Sequence, residues 1–254
     1  MILALDIGNS LINIGFFIGE GIRTQRLATN PLKTPEEYAL ILKEFFPEIC
    51  VERTALGVII SSVVEGHADV LAEACKRLMP EDVIILTSDI VTGLVFDIPR
   101  PEELGTDRIA NAVAAYELCK GPVAALDFGT ATTISVVGKR ANYIGGAIMP
   151  GLRLMNESLA KGTSKLSAAS ITAPHAALGT DTIQCIQSGI FYGTAGAVEK
   201  LLREIEKEIG FHLEVVVTGG YGSVVSKFLS RGHIVRQNLT LEGLRMIFMR
   251  KKGA

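Results

Sequence analysis

Two short segments, one in each half of the 254-residue chain, repeat the same set of reactive groups. Leu5-Asp6-Ile7-Gly8-Asn9-Ser10 and Leu126-Asp127-Phe128-Gly129-Thr130-Ala131 each end an apolar run in Asp-x-Gly, turn through small polar residues and enter a second apolar run. Gly8 and Gly129 let the backbone approach a ligand closely, and successive N–H groups in such turns make anion-binding concavities. Asn9, Ser10, Thr130 and Thr132 add neutral donors, while Asp6 and Asp127 set a carboxylate at each strand end, where a metal ion can be held. The combination suits the phosphates of a nucleotide, gripped by two hairpins facing each other across an interdomain cleft. The same residues also make ordinary β-turns with Asp as turn former. A single copy carries no weight; a second copy in matching context points to a duplicated domain.

Three further stretches carry polar chemistry. Val215-Val-Val-Thr218-Gly219-Gly220-Tyr221-Gly222 runs an apolar strand into a glycine-rich turn, suited to lie against a nucleobase or ribose, or simply to join a strand to a helix. Leu104-Gly105-Thr106-Asp107-Arg108 marks a loop meeting a helix. Thr106 or Asp107 reads there as an N-cap. A cation at Arg108 opposes the helix dipole, so pure capping does not account for the whole motif. As a pair, the Asp107 carboxylate can take a proton from a hydroxyl and the Arg108 guanidinium can hold an anionic or carbonyl group. In Gly145-Gly-Ala-Ile-Met-Pro150-Gly151 a strand ends in a Pro-Gly break before a helix, where Leu152, Leu154, Met155 and Leu159 are expected in the core. Lys161 to Lys165 reads as a solvated polar loop.

The elements that position these residues follow from hydrophobic period and turn signals. Met1 to Asp6 and Ile12 to Ile18 form a hairpin, with a third strand from Ile22 to Ala28. Thr34-Pro35-Glu36-Glu37 is a helix start, with a cap, Pro at the first position and acids in the first turn, and the helix runs to about Phe46. Strand Ala55 to Ser61, helix Ala68 to Met79 and strand Val83 to Leu86 continue the alternation, and residues 89–105 read as loop. A helix from Arg108 to Leu118 is broken by Lys120-Gly121-Pro122. Strands near Thr132 to Val137 and Asn142 to Ile148, helical stretches, a strand at Glu214 to Thr218 and a helix from about Leu241 to Met249 complete an α/β chain.

Composition removes several function classes. The chain is 48% hydrophobic and 20% charged, enough for a sizeable core. With 25 Lys and Arg against 27 Asp and Glu, the net charge of −2 offers no footprint for nucleic acid or an anionic membrane. No run of apolar residues reaches spanning length, and the N-terminus reads as a strand, so no membrane segment and a cytoplasmic location are expected. Cys50, Cys75, Cys119 and Cys185 lack paired spacing and are expected to be small buried side chains in a reducing compartment. His67, His175, His212 and His233 form no zinc-ligand pair.

Taken in order, Asp6-x-Gly-Asn-Ser10, Gly105-Thr-Asp-Arg108, Asp127-x-Gly-Thr-Ala-Thr132, Gly145-Gly-x-x-x-Pro-Gly151, Gly179-Thr-Asp-Thr182 and Thr218-Gly-Gly220 resemble the type III pantothenate kinase family over essentially the whole chain. The family belongs to the acetate and sugar kinase, heat-shock ATPase and actin superfamily. The resemblance implies two ribonuclease-H-like domains with the nucleotide between them, here 1–119 and 120–254. It implies that Asp6, Ile7, Gly8, Asn9, Ser10, Leu11, Ile12 and Asn13 form the first ATP phosphate loop, and that Thr130 contacts ATP in the second. Asp107 corresponds to the general base, with Gly105, Thr106, Asp107 and Arg108 lining the pantothenate site and Thr182 contacting the same substrate. Asp127 corresponds to the ligand of a monovalent cation, potassium or ammonium, and Asp6 is the candidate partner of Mg²⁺. The implied reaction is ATP-dependent phosphorylation of pantothenate to 4′-phosphopantothenate, entering coenzyme A synthesis, in a homodimer whose second subunit completes the acceptor pocket.

Three positions depart from the family pattern. Ser10 stands for a usual Thr and keeps the hydroxyl. Asp181 stands for a usual Asn and brings a carboxylate near an anionic substrate unless it points away or is paired. Phe96 stands where many relatives carry Tyr and lacks its hydroxyl. Two alternatives remain open at this stage: a kinase of the same fold for another small hydroxylated acid or sugar, and a non-catalytic relative acting as a transcription activator.

Overall fold

The computed structural model describes residues 1–51, 57–78, 82–164 and 166–253. Ala55, Met79 and Lys165, expected in a strand, a helix and a polar loop, lie outside these residues, as does the side chain of Cys50. The chain makes two compact units, Met1–Leu94 with Pro99–Ala114 and Leu239–Ala254, and Val95–Ile98 with Ala115–Asn238.

In chain order the elements are β1 (Ile2–Ile7), β2 (Leu11–Ile18), β3 (Gly21–Ala28), α1 (Pro35–Phe45), α2 (Glu48–Val51), β4 (Gly57–Ser62), α3 (His67–Leu78) and β5 (Val83–Ile85). They continue as β6 (Val95–Phe96), a 3-10 turn at Pro101–Glu103, α4 (Thr106–Cys119), β7 (Val123–Phe128), β8 (Ala131–Val137), β9 (Asn142–Pro150) and α5 (Leu152–Gly162). The last are α6 (Thr182–Ile209), β10 (Glu214–Thr218), α7 (Gly222–Val225), β11 (Ile234–Val235) and α8 (Leu239–Lys252).

The duplication is visible in the sheets. The first has the order β3-β2-β1-β4-β5, with β1–β2 and β2–β3 antiparallel and β1–β4 and β4–β5 parallel. In the second, β9-β8-β7-β10-β11 repeats that order and those senses, and β6 adds an edge strand parallel to β9. Each unit has the ribonuclease-H-like plan expected, with Asp6 and Asp127 at matching places on the central strands. The turns differ by one residue: Ile7 pairs with Ile12 in the first hairpin, whereas Phe128 pairs with Thr132 in the second.

All six residues of β1 are buried, because the first sheet is covered on both faces. Alternate residues Leu3, Leu5 and Ile7 meet Tyr38 and Leu42 of α1 and Leu71 and Cys75 of α3 in one core cluster. The opposite face takes α8, which packs on β1, β2 and β4. In the second unit Ala124, Leu126 and Phe128 share a core with Leu152 of α5 and Ile190, Phe191, Val198 and Leu202 of α6. Helix α1 begins as its sequence dictates: the Thr34 hydroxyl accepts the Glu37 N–H, and the Glu37 carboxylate accepts the Thr34 N–H at 2.7 Å.

Where α8 crosses α4 the backbones nearly touch, and a Cβ on Gly243 would overlap the Ala110 carbonyl. A backbone obstacle cannot rotate away. Gly243→Ala is therefore expected to cost at least about 2 kcal/mol and to lower Tm by roughly 4 °C or more. A melting curve unchanged from wild type would show that the crossing relaxes freely.

Some local expectations do not hold. Residues 89–105 are not all loop, since Val95–Phe96 forms β6 and Pro101–Glu103 a 3-10 turn. A two-residue strand is stabilised by its partner strand, which local pattern does not contain. Among the described cysteines Cys75 is buried, with its thiol pushed up to about 12 by burial, but Cys119 is half-buried and Cys185 exposed. No helix among the described residues is long and apolar enough to cross a membrane.

Candidate active site

The first unit holds one cluster around Asp6. The β1–β2 pairing places Asn13 opposite Asp6, and the β1–β4 pairing places Ser61 beside it. Asn13 Nδ2 donates to Asp6 Oδ2 at 3.1 Å and Ser61 Oγ to Oδ1 at 3.3 Å, so a carboxylate only 8% exposed is fixed in orientation. The turn is braced from the end of β3. The Thr29 hydroxyl donates to the Gly8 carbonyl at 2.6 Å, the Thr29 N–H to the Ser10 carbonyl at 3.1 Å, and Gly8 N–H to the Leu11 carbonyl at 3.0 Å. Behind Thr29, His67 Nε2 lies 3.2 Å from the Thr29 carbonyl. With its carbonyls tied back in this way, the turn keeps one shape around Asn9, which faces solvent.

The same cluster reaches the start of α4. Ile109 N–H bonds the Gly105 carbonyl at 3.1 Å, so Gly105 is the N-cap and neither Thr106 nor Asp107 takes that place. Thr106 Oγ1 lies 2.9 Å from Ser61 Oγ. Asp107 Oδ1 accepts the Arg108 N–H at 2.8 Å. Burial pushes the Asp107 carboxyl above the usual carboxylate range, against the opposing pull of the Arg108 N–H and the Arg108 charge. A Cβ at position 105 would stand 2.6 Å from Asp107 Oδ1, so any larger residue there would displace that carboxylate. Arg108 is half-buried beside it.

The second unit gathers three motifs around Asp127, which is half-buried at the end of β7. Gly129 N–H bonds the Ala131 carbonyl at 3.0 Å, closing the shorter turn, and Gly151 N–H bonds the Thr130 carbonyl at 3.1 Å. Tyr221 N–H reaches the Phe128 carbonyl at 3.0 Å. Gly219 has φ +92° and lies so close that a Cβ would overlap the Asp127 carboxylate and the Phe128 backbone. Only glycine satisfies both demands. The Pro-Gly break and the Thr218-Gly-Gly turn thus serve as supports of the Asp127 turn.

Thr182 is placed elsewhere in the second unit. It is the exposed first residue of α6 and lines a cavity of about 920 Å³ together with Pro150, Met155, Leu159, Leu166, Ile186 and others. The expectation that Leu154, Met155 and Leu159 are core residues is corrected in part: Leu152 is buried, but Leu154 and Leu159 are each 36% exposed, and Met155 and Leu159 form cavity wall. Asp181 is the N-cap of α6. Its Oδ1 accepts the Gln184 N–H at 2.8 Å and its Oδ2 the Gln184 side-chain amide at 2.7 Å, so this extra carboxylate faces the positive end of its helix. Phe96 lies against Tyr143 with ring centroids 6.2 Å apart, a contact that needs no hydroxyl.

Sequence reading missed Ser61 and Thr29. Their only trace is a hydroxyl at a strand end, which single sequences show too often to be informative. Among the described residues no group of three or more His, Cys, Asp or Glu could hold a metal ion. Neither Asp6 nor Asp127 belongs to such a group, so an ion held at either would take most of its oxygens from phosphates or water.

Comparison with known proteins bears on what these clusters do. Residues 2–204 match the family model for type III pantothenate kinase. A Brevibacillus brevis protein named type III pantothenate kinase is 41% identical over 255 residues, covering 100% of both chains. Among solved structures, a Campylobacter jejuni protein assigned to the Baf family of transcriptional activators superposes with a TM-score of 0.63 at 19% identity, covering 99% of this chain and 100% of its own. A polyphosphate/ATP-glucomannokinase from Arthrobacter gives a TM-score of 0.51 at 15% identity, with 98% of each chain covered. At those identities the two structures speak to the fold alone, which this chain shares with them over nearly its whole length. The full-length identity and the family match together show more: the chain belongs to the type III pantothenate kinase family.

Proposed function

We propose that the protein transfers the γ-phosphoryl group of ATP to the primary hydroxyl of pantothenate, giving 4′-phosphopantothenate and ADP at the entry to coenzyme A synthesis. The observation that carries the reading, beyond family membership, is Asp107: a carboxyl raised by burial, held by a backbone N–H at a helix start. The hydroxyl oxygen forms the new bond to phosphorus as the bond to the ADP oxygen breaks, and the hydroxyl proton passes to Asp107. A carboxyl with a raised pKa is, in its ionised form, the better proton acceptor. Phosphoryl transfer asks mainly for positioning and charge neutralisation. The turns from Asp6 to Asn13 and around Thr130 present backbone and side-chain donors for the phosphates, and Gly105 to Arg108 and Thr182 hold pantothenate.

Mg²⁺, when bound with the nucleotide, neutralises phosphate charge, and Asp6 is the residue that would hold it. Asp127 would hold a monovalent cation, potassium or ammonium. A homodimer is supported by the family resemblance. A cytoplasmic location is part of the same reading.

Turnover with ATP and pantothenate, read as ADP release together with the mass of the phosphorylated product, tests the reading. Thr182→Val removes a hydroxyl without changing volume, and is expected to raise the pantothenate KM roughly tenfold with little change for ATP. Equal changes in both KM values would make Thr182 structural, or the acceptor another compound.

A further inference from the structure

Ser61 is used neither by the sequence motifs nor by the family reading. It is fully buried at the end of β4, in register with Asp6 across the parallel β1–β4 pair. Its hydroxyl stands 3.3 Å from Asp6 Oδ1 and 2.9 Å from Thr106 Oγ1. One small side chain therefore touches both the phosphate turn and the start of α4. We propose that Ser61 is a positioning residue for phosphoryl transfer, holding the helix turn that carries Asp107 against the turn that carries Asp6. The inference rests on the kinase reading above.

Counting protons gives the bridge a direction. An ionised carboxylate only accepts, and each hydroxyl has one proton to give. Ser61 therefore donates to Asp6, and Thr106 donates to Ser61, with the Ser62 carbonyl, 3.3 Å from Thr106 Oγ1, as the competing acceptor. Hydrogen bonds in series away from water polarise one another, so the sequence Thr106 to Ser61 to Asp6 is stiffer than its separate links. Thr106 is the first residue of α4 and Asp107 the second. Whatever fixes the first fixes the backbone from which the second projects.

The second unit supplies an internal comparison. Thr218 holds the corresponding register beside Asp127, yet its hydroxyl is aimed at the Gln237 carbonyl, 3.5 Å away. The bridge to a following helix belongs to the copy whose helix carries the base. A serine needed only for its volume would be replaceable by alanine at little cost, which separates a packing role from a positioning one.

The test is a double-mutant cycle of Ser61→Ala and Thr106→Val, with folding of each variant checked by circular dichroism. Ser61→Ala is expected to lower kcat roughly ten- to hundredfold while the KM values for ATP and pantothenate stay within about twofold. The double variant should be no slower than the slower single variant, because both changes cut one bridge. A folded Ser61→Ala protein with normal kcat, or losses that multiply in the double variant, overturns the proposal. If Ser61→Ala does not fold, Thr106→Val, which leaves the Ser61–Asp6 bond in place, must show the same fall in kcat. A change confined to its pantothenate KM, or none, then overturns the proposal. A wild type that does not phosphorylate pantothenate overturns the kinase reading, and the proposal with it, before any variant is compared. Normal kcat in Ser61→Ala overturns the positioning role alone.

Discussion

Asp107→Asn is expected to lower kcat by roughly 10²–10⁴-fold, the scale of a positioned general base, in a protein that melts no lower than wild type. Both halves follow from the burial that raises its pKa. A carboxyl whose folded pKa lies above its unfolded one binds its proton more tightly when folded. Its stabilising contribution is present below the unfolded value and is lost as pH rises through the raised one. Above the unfolded pKa Asp107 therefore costs stability, and the neutral, nearly isosteric amide removes that cost. The acid limb of kcat in the wild type should also lie above the ordinary carboxylate range, falling as pH drops through the raised value. The amide variant should show residual turnover without that limb. Near-normal turnover in folded Asp107→Asn would remove the assignment, and a marked fall in Tm would mean that the carboxylate is structural.

The second large effect concerns Asp127. A carboxylate about 4 Å from a phosphate oxygen is repelled by about 4 kcal/mol at an effective dielectric near 20, so on the proposed reading, in which the Asp127 turn receives phosphates, the carboxylate gains nothing unless a cation lies between them. The wild type is accordingly expected to be slow in Tris buffer alone and to rise saturably with potassium or ammonium, more than with the smaller, strongly hydrated sodium. Asp127→Ala should lose that response together with at least about nine-tenths of its turnover. A thermal readout separates binding from chemistry: with ATP present, potassium should raise Tm of the wild type and leave that of Asp127→Ala unmoved. Equal turnover of the wild type with only Tris present would sink the cation assignment and leave Asp127 as a turn former.

What was legible in the sequence is what local chemistry dictates. Thr34, Pro35 and Glu37 announce the start of α1, and the structure shows both hydrogen bonds of that cap. Glu214–Thr218 is a strand with the bounds its apolar run suggests. The paired Asp-x-Gly turns were readable because duplication supplies an internal control. What was not legible depends on partners distant in sequence. Phe96 is a strand residue only because it pairs with Tyr143. Ser61 matters only because β4 returns beside β1, and Thr29 only because the end of β3 lies over the Gly8 turn. The cap of α4 was misplaced onto polar side chains because Gly105, which has none, gives no capping signal of its own. Asp181 lines the same cavity as Thr182 and is held as the N-cap of α6 by the backbone and side-chain amides of Gln184.

The position of α8 has a consequence for how the protein is made. Residues Leu239–Lys252 cover the β1, β2 and β4 face of the first sheet, with Phe248 lying against Gly57 and Leu241 against Gly15. During synthesis the strands of the first unit leave the ribosome well before the helix that closes them. At about 5–20 residues per second the nascent first unit waits more than roughly ten seconds with that apolar face open, while the whole second unit is translated and becomes free to fold. The order of completion is then the reverse of the order of synthesis. Chaperones that recognise exposed apolar strands should engage the N-terminal half of the nascent chain, and release it only after residue 252 has cleared the exit tunnel.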